Sequence, residues 1–230
     1  MSVLFCIDRY ETRGWTNACQ VIYLPIGMKS KPAPALRGRP RAFDPDAALE
    51  RAMHVFWAKG YEGAALSDLT RAMRINRPSL YAAFGNKEQL FRKVLDRYMN
   101  GPLAFFGKAL GAAKARDVIE QIFLGAANMP SDPRTPAGCL VVQGALACGD
   151  AAGSVRKEIA ARRAAAKAAL RRRLQRAKRE GDLPPNADPA ELSHYVMTVL
   201  HGMAVQGADG ANQDQLRRVA QVALRAWPKR

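Results

Sequence analysis

Residues 64–87 constrain the fold of this chain more than any other segment. They read AALSDLTRAMRINRPSLYAAFGNK, with apolar residues at helical spacing on both sides of a short polar turn. Asn76 stands where a side-chain cap would begin the second helix, and Pro78 suits its first turn. We therefore expect two short helices that meet at a tight turn, with Arg77 exposed at the tip of the second.

From Asp44 onward the sequence predicts an all-α protein, because helical spacing recurs and strand-like alternation does not. Asp44 is expected to cap a first helix that ends at Gly60. Ser67 and Asn76 are expected to cap the second and third helices, and Asn86 a fourth. The first three helices form a small helix-turn-helix domain at the N-terminal side, and the fourth is a connecting helix.

A larger helical domain is predicted after the third helix and its connecting helix. Residues 37–86 form the first domain with a basic arm, residues 87–100 connect, and residues 101–230 form the second domain. Residues 1–36 are expected to be a disordered leader, with Met28 as an alternative start. Breakers divide the second domain into predicted helices near 103–111, 115–128, 138–149, 153–180, 188–207 and 213–226.

Net charge narrows the class of partner. The formal charge is +16 and the pI about 10.2, which favours a polyanionic partner. The four cysteines form no C-x-x-C pair and there are only three histidines, so we expect reduced thiols in the cytoplasm, no zinc finger, no metal site and no cofactor. No apolar run is long enough for a membrane span.

The exposed start of the third helix suits recognition of duplex DNA in the major groove. Arg77 can fork onto a guanine, and Tyr81 can reach a phosphate. Helix starts elsewhere in the domain suit backbone contacts. The candidate DNA-binding residues of these helices are Ser67, Asn76, Arg77, Pro78, Ser79, Tyr81 and Lys87. Taken singly, each could instead be a cap, a solvated charge or a core aromatic residue.

Two runs give the chain a family resemblance. Phe56–Leu69 has the pattern F-x-x-x-G-Y-x-x-x-x-L-x-x-L, and Ser79–Leu90 reads S-L-Y-x-x-F-G-x-K-E-x-L. Through them, residues 43–98 resemble the DNA-binding domain of the tetracycline-repressor (TetR) family of bacterial regulators. Arg74 departs from the family pattern, since many members carry glycine there.

The resemblance implies a ligand-responsive regulator, more often a repressor, that binds a pseudo-palindromic operator as a homodimer and is not an enzyme. The dimer would form through helices near 188–207 and 213–226. Upstream, Arg39 and Arg41 resemble a basic arm that enters the minor groove. The alternative is an architectural protein that binds DNA without sequence preference. In an architectural protein, the basic helix at 155–180 would contact DNA. In a regulator, its basic side chains would form a solvated face.

The resemblance also implies an effector pocket between the fourth helix and the middle helices. Candidates from the second domain are Phe105, Phe106, Phe123, Cys139, Val142, Gln143, Tyr195, Thr198, His201 and Met203. Cys139 allows a second interpretation, because a helix N-terminus lowers a thiol pKa. It could sense oxidants or electrophiles or bind a soft metal, or it could be a buried small apolar residue.

Overall fold

The computed structural model describes residues 43–129, 135–146 and 152–228. These residues form ten α-helices and no strand, which confirms the all-α prediction. The helices are α1 (Pro45–Gly63), α2 (Leu66–Met73), α3 (Arg77–Phe84), α4 (Lys87–Asn100), α5 (Ala104–Ala109), α6 (Ala115–Asn128), α7 (Leu140–Leu146), α8 (Gly153–Arg179), α9 (Pro189–Ala208) and α10 (Gln213–Arg225). The predicted leader at 1–36, Met28, and Arg39 and Arg41 lie outside the described residues.

Helices α1 to α4 pack around an aromatic core. Phe56 of α1 and Phe91 of α4 are fully buried and meet edge to face, with ring centroids 4.9 Å apart. Trp57 and Tyr98 make a second such pair at 4.8 Å. Edge-to-face pairs add to the apolar area that each ring buries, so α1 and α4 are held in a fixed relation.

Local signals set the ends of these helices. Asp44, Asn76 and Asn86 each accept a hydrogen bond from a backbone N–H in the first turn of α1, α3 and α4, as predicted. Gly60, with φ 69° and ψ 179°, leaves the helical conformation, so the regular part of α1 stops there as predicted, and one further turn follows after the kink. Ser67 does not cap α2: Ala65 is its N-cap residue and makes no side-chain cap bond.

Helices α6, α8, α9 and α10 form a second, mainly aliphatic core. Ile122 and Phe123 of α6 pack with Leu170 and Leu174 of α8, and α9 and α10 complete the cluster. The observed helix bounds lie within a few residues of the predicted ones. Within the described ranges, no helix is long and apolar enough to cross a membrane.

The start of α7 joins the first core rather than the second. Cys139, Leu140, Val141 and Val142 belong to the same buried cluster as α1 and α4. The backbone N–H of Leu140 donates to the hydroxyl of Tyr98 over 3.3 Å. This places one wall of the second domain directly against the helices that carry α3.

Candidate DNA-binding surface and effector pocket

The N-terminal turn of α3 forms an exposed tip. Asn76 accepts a hydrogen bond from the N–H of Ser79 over 2.8 Å, which fixes where the helix begins. Arg77 and Pro78 are exposed, and Tyr81 is 48% exposed, which is unusual for a large aromatic side chain. Leu80 and Phe84 are buried on the opposite face. The core therefore sets the orientation of α3 and leaves its first turn free to enter a groove. The predicted DNA-binding residues at the start of α3 are Asn76, Arg77, Pro78 and Ser79, with Tyr81 one turn further on.

The turn between α2 and α3 has a left-handed residue. Arg74 has φ 57° and ψ 43°, and it is the one non-glycine residue with positive φ in the part of the chain that the structure describes. Its N–H donates to the carbonyl of Arg71 over 3.2 Å, and the N–H of Ile75 donates to the carbonyl of Thr70 over 3.1 Å. The left-handed conformation costs a non-glycine residue about 1–2 kcal/mol. Despite this cost the turn carries an arginine, which adds one more exposed cation beside the tip of α3.

Lys87 lies at the first position of α4. Its Nζ is 4.6 Å from the centroid of the Tyr61 ring, a cation–π contact. Burial lowers the pKa of Lys87 from its usual value, while the charge of Glu62 opposes that change. The Tyr61 ring in turn stacks on Phe56, with an interplanar angle of 9°. Lys87 is therefore a positioned cation, joined to the core that orients α3.

Ser67 lies in the first turn of α2, where it is exposed. It is one residue inside the helix, so its N–H belongs to the unpaired amides of the N-terminus. The neighbouring Asp68 pairs with Lys59 over 2.7 Å, and this pairing lowers the pKa of Asp68 below its usual value. Although Ser67 is not the cap, it presents polar groups at a helix start.

An apolar pocket opens between α4 and the middle helices. Its described lining comes from α4, α5, α6, the start of α7, α8 and α9. The volume open to the centres of water-sized molecules is about 70 Å³. One water needs roughly 10–15 Å³ on this measure, so the space holds a ligand no larger than about five to seven waters.

Six of the ten candidate pocket residues lie on this lining. They are Phe105, Phe106, Cys139, Val142, His201 and Met203. The other four lie elsewhere, for separate reasons. Phe123 is fully buried in the second core, and Thr198 is exposed on α9. The hydroxyl of Tyr195 donates to the carbonyl of Ala223 on α10 over 3.1 Å. The amide of Gln143 lies over Gly138, where an added Cβ would be 2.5 Å from its Nε2.

Helical spacing missed the charged part of the pocket. Arg162 and Arg163 of α8 both line it, although sequence reasoning assigned that helix only a basic surface. Arg162 is 21% exposed and pairs with Asp96 of α4 over 2.7 Å and with Glu158 over 2.8 Å. The pair of adjacent arginines is visible in the sequence. That both reach the pocket depends on how α8 packs, which the sequence does not show.

The environment of Cys139 agrees with one of its two sequence interpretations, a buried small apolar residue. Cys139 precedes α7, yet burial raises the pKa of its thiol above the usual value, and the hydrogen bond with Tyr98 only partly opposes this. The interpretation of Cys139 as a thiol activated by a helix N-terminus is therefore not supported, because desolvation outweighs the amide dipoles. No group of three or more potential metal ligands occurs within the described ranges.

Comparison with known proteins agrees with this architecture. Residues 48–94 match the family described as bacterial regulatory proteins, tetR family, and residues 111–223 match the tetracyclin repressor-like C-terminal domain. The HTH-type transcriptional repressor ComR of Escherichia coli (strain K12) is 34% identical over 195 residues, which cover 84% of this chain and 93% of ComR.

Solved structures give the same result. A cysteine mutant of the TetR family transcriptional regulator CifR, complexed with 26-base-pair operator DNA, is 43% identical; the match covers 83% of this chain and 100% of that chain, with a TM-score of 0.79. A putative TetR transcriptional regulator from Rhodococcus sp. RHA1 is 36% identical, covering 80% of this chain and 98% of its own, with a TM-score of 0.57. Members of this family are transcription regulators and not enzymes. The protein therefore belongs to the TetR family of DNA-binding, helix-turn-helix transcriptional regulators.

Proposed function

We propose that the protein is a transcriptional repressor that binds a pseudo-palindromic operator as a homodimer and is released by a small-molecule effector. The observation that carries the proposal is the exposed, capped first turn of α3, with Arg77 and Tyr81 outward and Leu80 buried. The relatives ComR, a repressor, and CifR, a regulator whose structure is known in complex with operator DNA, support it. Its place of action would be the cytoplasm, where the chromosome lies.

In this proposal Arg77 reads a base edge and Lys87 contacts a phosphate. A guanidinium at the tip of a groove-entering helix matches the two acceptors of guanine. Lys87, held over Tyr61, provides a fixed charge at the start of a neighbouring helix. Ser67, Asn76, Pro78, Ser79 and Tyr81 complete the candidate contact surface, and Arg39 and Arg41 would extend it into the minor groove.

The dimer would form through the last two helices. Val219 and Val222 of α10 are 42% and 55% exposed, and Val205 of α9 is 38% exposed, while other faces of both helices are buried in the second core. Exposed valines on adjacent helices suit a self-complementary, isologous contact. Two copies would then hold two α3 helices at the spacing of operator half-sites.

The effector would occupy the pocket beside α4. Since α4 follows α3 and contributes to the pocket, an effector that prefers one position of α4 shifts the spacing of the two α3 helices. Phe105, Phe106, Cys139, Val142, His201 and Met203 would line its site. Cys139 is a wall of the pocket in this proposal, since its buried thiol has a raised pKa.

Selection of bound duplexes from a random pool tests the DNA proposal. At about 150 mM salt, where non-specific contacts weaken, we expect one inverted repeat. Arg77→Ala should cost about 1–3 kcal/mol and relax preference at one base pair, whereas Lys87→Ala should weaken all sequences evenly. Arg171→Ala, an exposed α8 variant, is the control. Recovery of no motif, with steeply salt-dependent binding and a loss in Arg171→Ala, would instead support an architectural DNA-binding protein.

The dimer proposal has a separate test. Val222→Glu places a charge in the proposed contact and should convert the dimer to a monomer in light scattering after size exclusion. Gln221→Glu, also exposed on α10, adds the same charge on a neighbouring position and should remain dimeric. A wild-type monomer at micromolar concentration, or a dimeric Val222→Glu, would contradict the proposed interface.

A further inference from the structure

The described lining of the pocket is apolar except for a few basic side chains, Arg162, Arg163 and His201, which we call its cationic end. Most of its described lining is aliphatic or aromatic, and the charged side chains on it are Arg162 and Arg163, one helical position apart on α8. His201 lines the same region, and burial, together with the charge of Arg163, lowers its pKa below the usual value. His201 is thus biased toward its neutral form, and the positive charge of this end belongs to the two arginines.

Arg163 differs from its neighbour in having no counter-ion among the residues that the structure describes. Arg162 pairs with Asp96 and Glu158, whereas Arg163 makes no ion pair or hydrogen bond with any residue in the described ranges. The charge of Arg163 acts instead on two pocket residues, the Cys139 thiol and His201. It favours a lower pKa for both, although burial outweighs it at Cys139. An unpaired guanidinium against an apolar cavity favours an anion there, because the low local dielectric strengthens the attraction.

Resting on the proposed effector-controlled function, we propose that this pocket takes a small amphipathic carboxylate, whose charge pairs with Arg163 and whose apolar tail lies among Phe105, Phe106 and Met203. The volume limits the tail to a few carbons unless the walls move apart. A planar guanidinium donates two parallel hydrogen bonds to a carboxylate, which gives the site a preferred orientation of ligand.

Arg162 connects the ligand charge to α4. It lines the pocket and also holds Asp96 of α4 over 2.7 Å, so a bound carboxylate competes with Asp96 for the same guanidinium. The next residue, Arg97, pairs with Glu50 of α1 over 2.5 Å. Weakening the link from Arg162 to Asp96 therefore loosens α8 from the helix that carries α3, which is a route by which an anion changes DNA binding.

Calorimetric titration of the full chain with hexanoate, and with hexanamide as a neutral ligand of equal length, tests the proposal without DNA. We expect hexanoate to bind the wild type about tenfold or more tightly than hexanamide. Arg163→Gln should remove that preference and leave hexanamide binding unchanged. Arg171→Gln, which removes an exposed arginine on the same helix away from the pocket, should keep it. Asp96→Asn should tighten hexanoate binding severalfold, because it removes one of the two carboxylates that compete for Arg162 and leaves only Glu158, and it should not affect hexanamide.

Equal binding of the two ligands would overturn the proposal and leave an apolar pocket without charge selection. No binding of hexanoate, or a preference that survives Arg163→Gln, would also overturn it. An unchanged hexanoate affinity in Asp96→Asn would remove Arg162 from the route to α4. Because none of these titrations includes DNA, their failure is distinct from failure of the operator selection, which tests the proposed function itself.

Discussion

The two halves of the molecule differ in how their helices are fixed. Among residues 43–98, three of four helices begin with a side-chain cap, and this segment contains all the aromatic ring pairs found in the described ranges. In the second half, α9 and α10 also begin with a side-chain cap, but α5, α6 and α8, which line the pocket together with α9, begin without one. Caps and ring pairs contribute stability locally, whereas uncapped helices depend on tertiary packing.

The difference suits the two tasks. A DNA-contacting helix must hold its first turn in one orientation, and α3 has a cap, a buried face and an aromatic core behind it. The proposed effector response would require the helices around the pocket to allow at least two arrangements of similar free energy. The hydrogen bond between Tyr98 and the start of α7 joins the capped, aromatic first half to the second half.

The largest effect should come from breaking the aromatic core. Phe91→Ala should lower the free energy of unfolding by about 3–5 kcal/mol, because Phe91 is fully buried and its ring meets those of Phe56 and Tyr61. Phe106→Ala removes a partly buried ring from the pocket and should cost only about 1 kcal/mol. Urea denaturation of both variants measures the contrast. Equal losses would mean that the pocket region is as tightly packed as the first core.

The same contrast explains what could be predicted from sequence. The caps at Asp44, Asn76 and Asn86 were predictable, since a cap depends on residues within one turn. Ser67 was wrongly predicted as a cap because its residue type suits one. The helix α2 begins earlier, with Ala65 at the N-cap position. In the second half, helix bounds followed from breakers, while the inward position of Arg163 and the burial of Cys139 depend on contacts distant in sequence.

A smaller effect should appear at the junction of the two halves. Since burial raises the pKa of the Cys139 thiol, less thiolate is present at neutral pH, and alkylation should be slow. Iodoacetamide labelling of the folded chain, followed at the peptide that contains Cys139, should be about tenfold or more slower than labelling in urea. The difference should narrow as pH rises toward the raised pKa. Fast labelling of the folded chain near pH 7 would support Cys139 as a sensor of electrophiles.

The smallest effect should come from the turn before α3. Arg74→Gly relieves the left-handed conformation and should raise the free energy of unfolding by about 0.5–1 kcal/mol. Arg71→Gly, at an exposed and regularly helical position of α2, removes the same charge and should lower that free energy by a similar amount. If Arg74 contacts a phosphate, Arg74→Gly will bind the selected operator more weakly despite being more stable, and its binding will depend less on salt. A destabilised Arg74→Gly would mean that contacts of the arginine side chain outweigh the backbone strain, and that the tip of α3 owes its position to more than the caps and the core behind it.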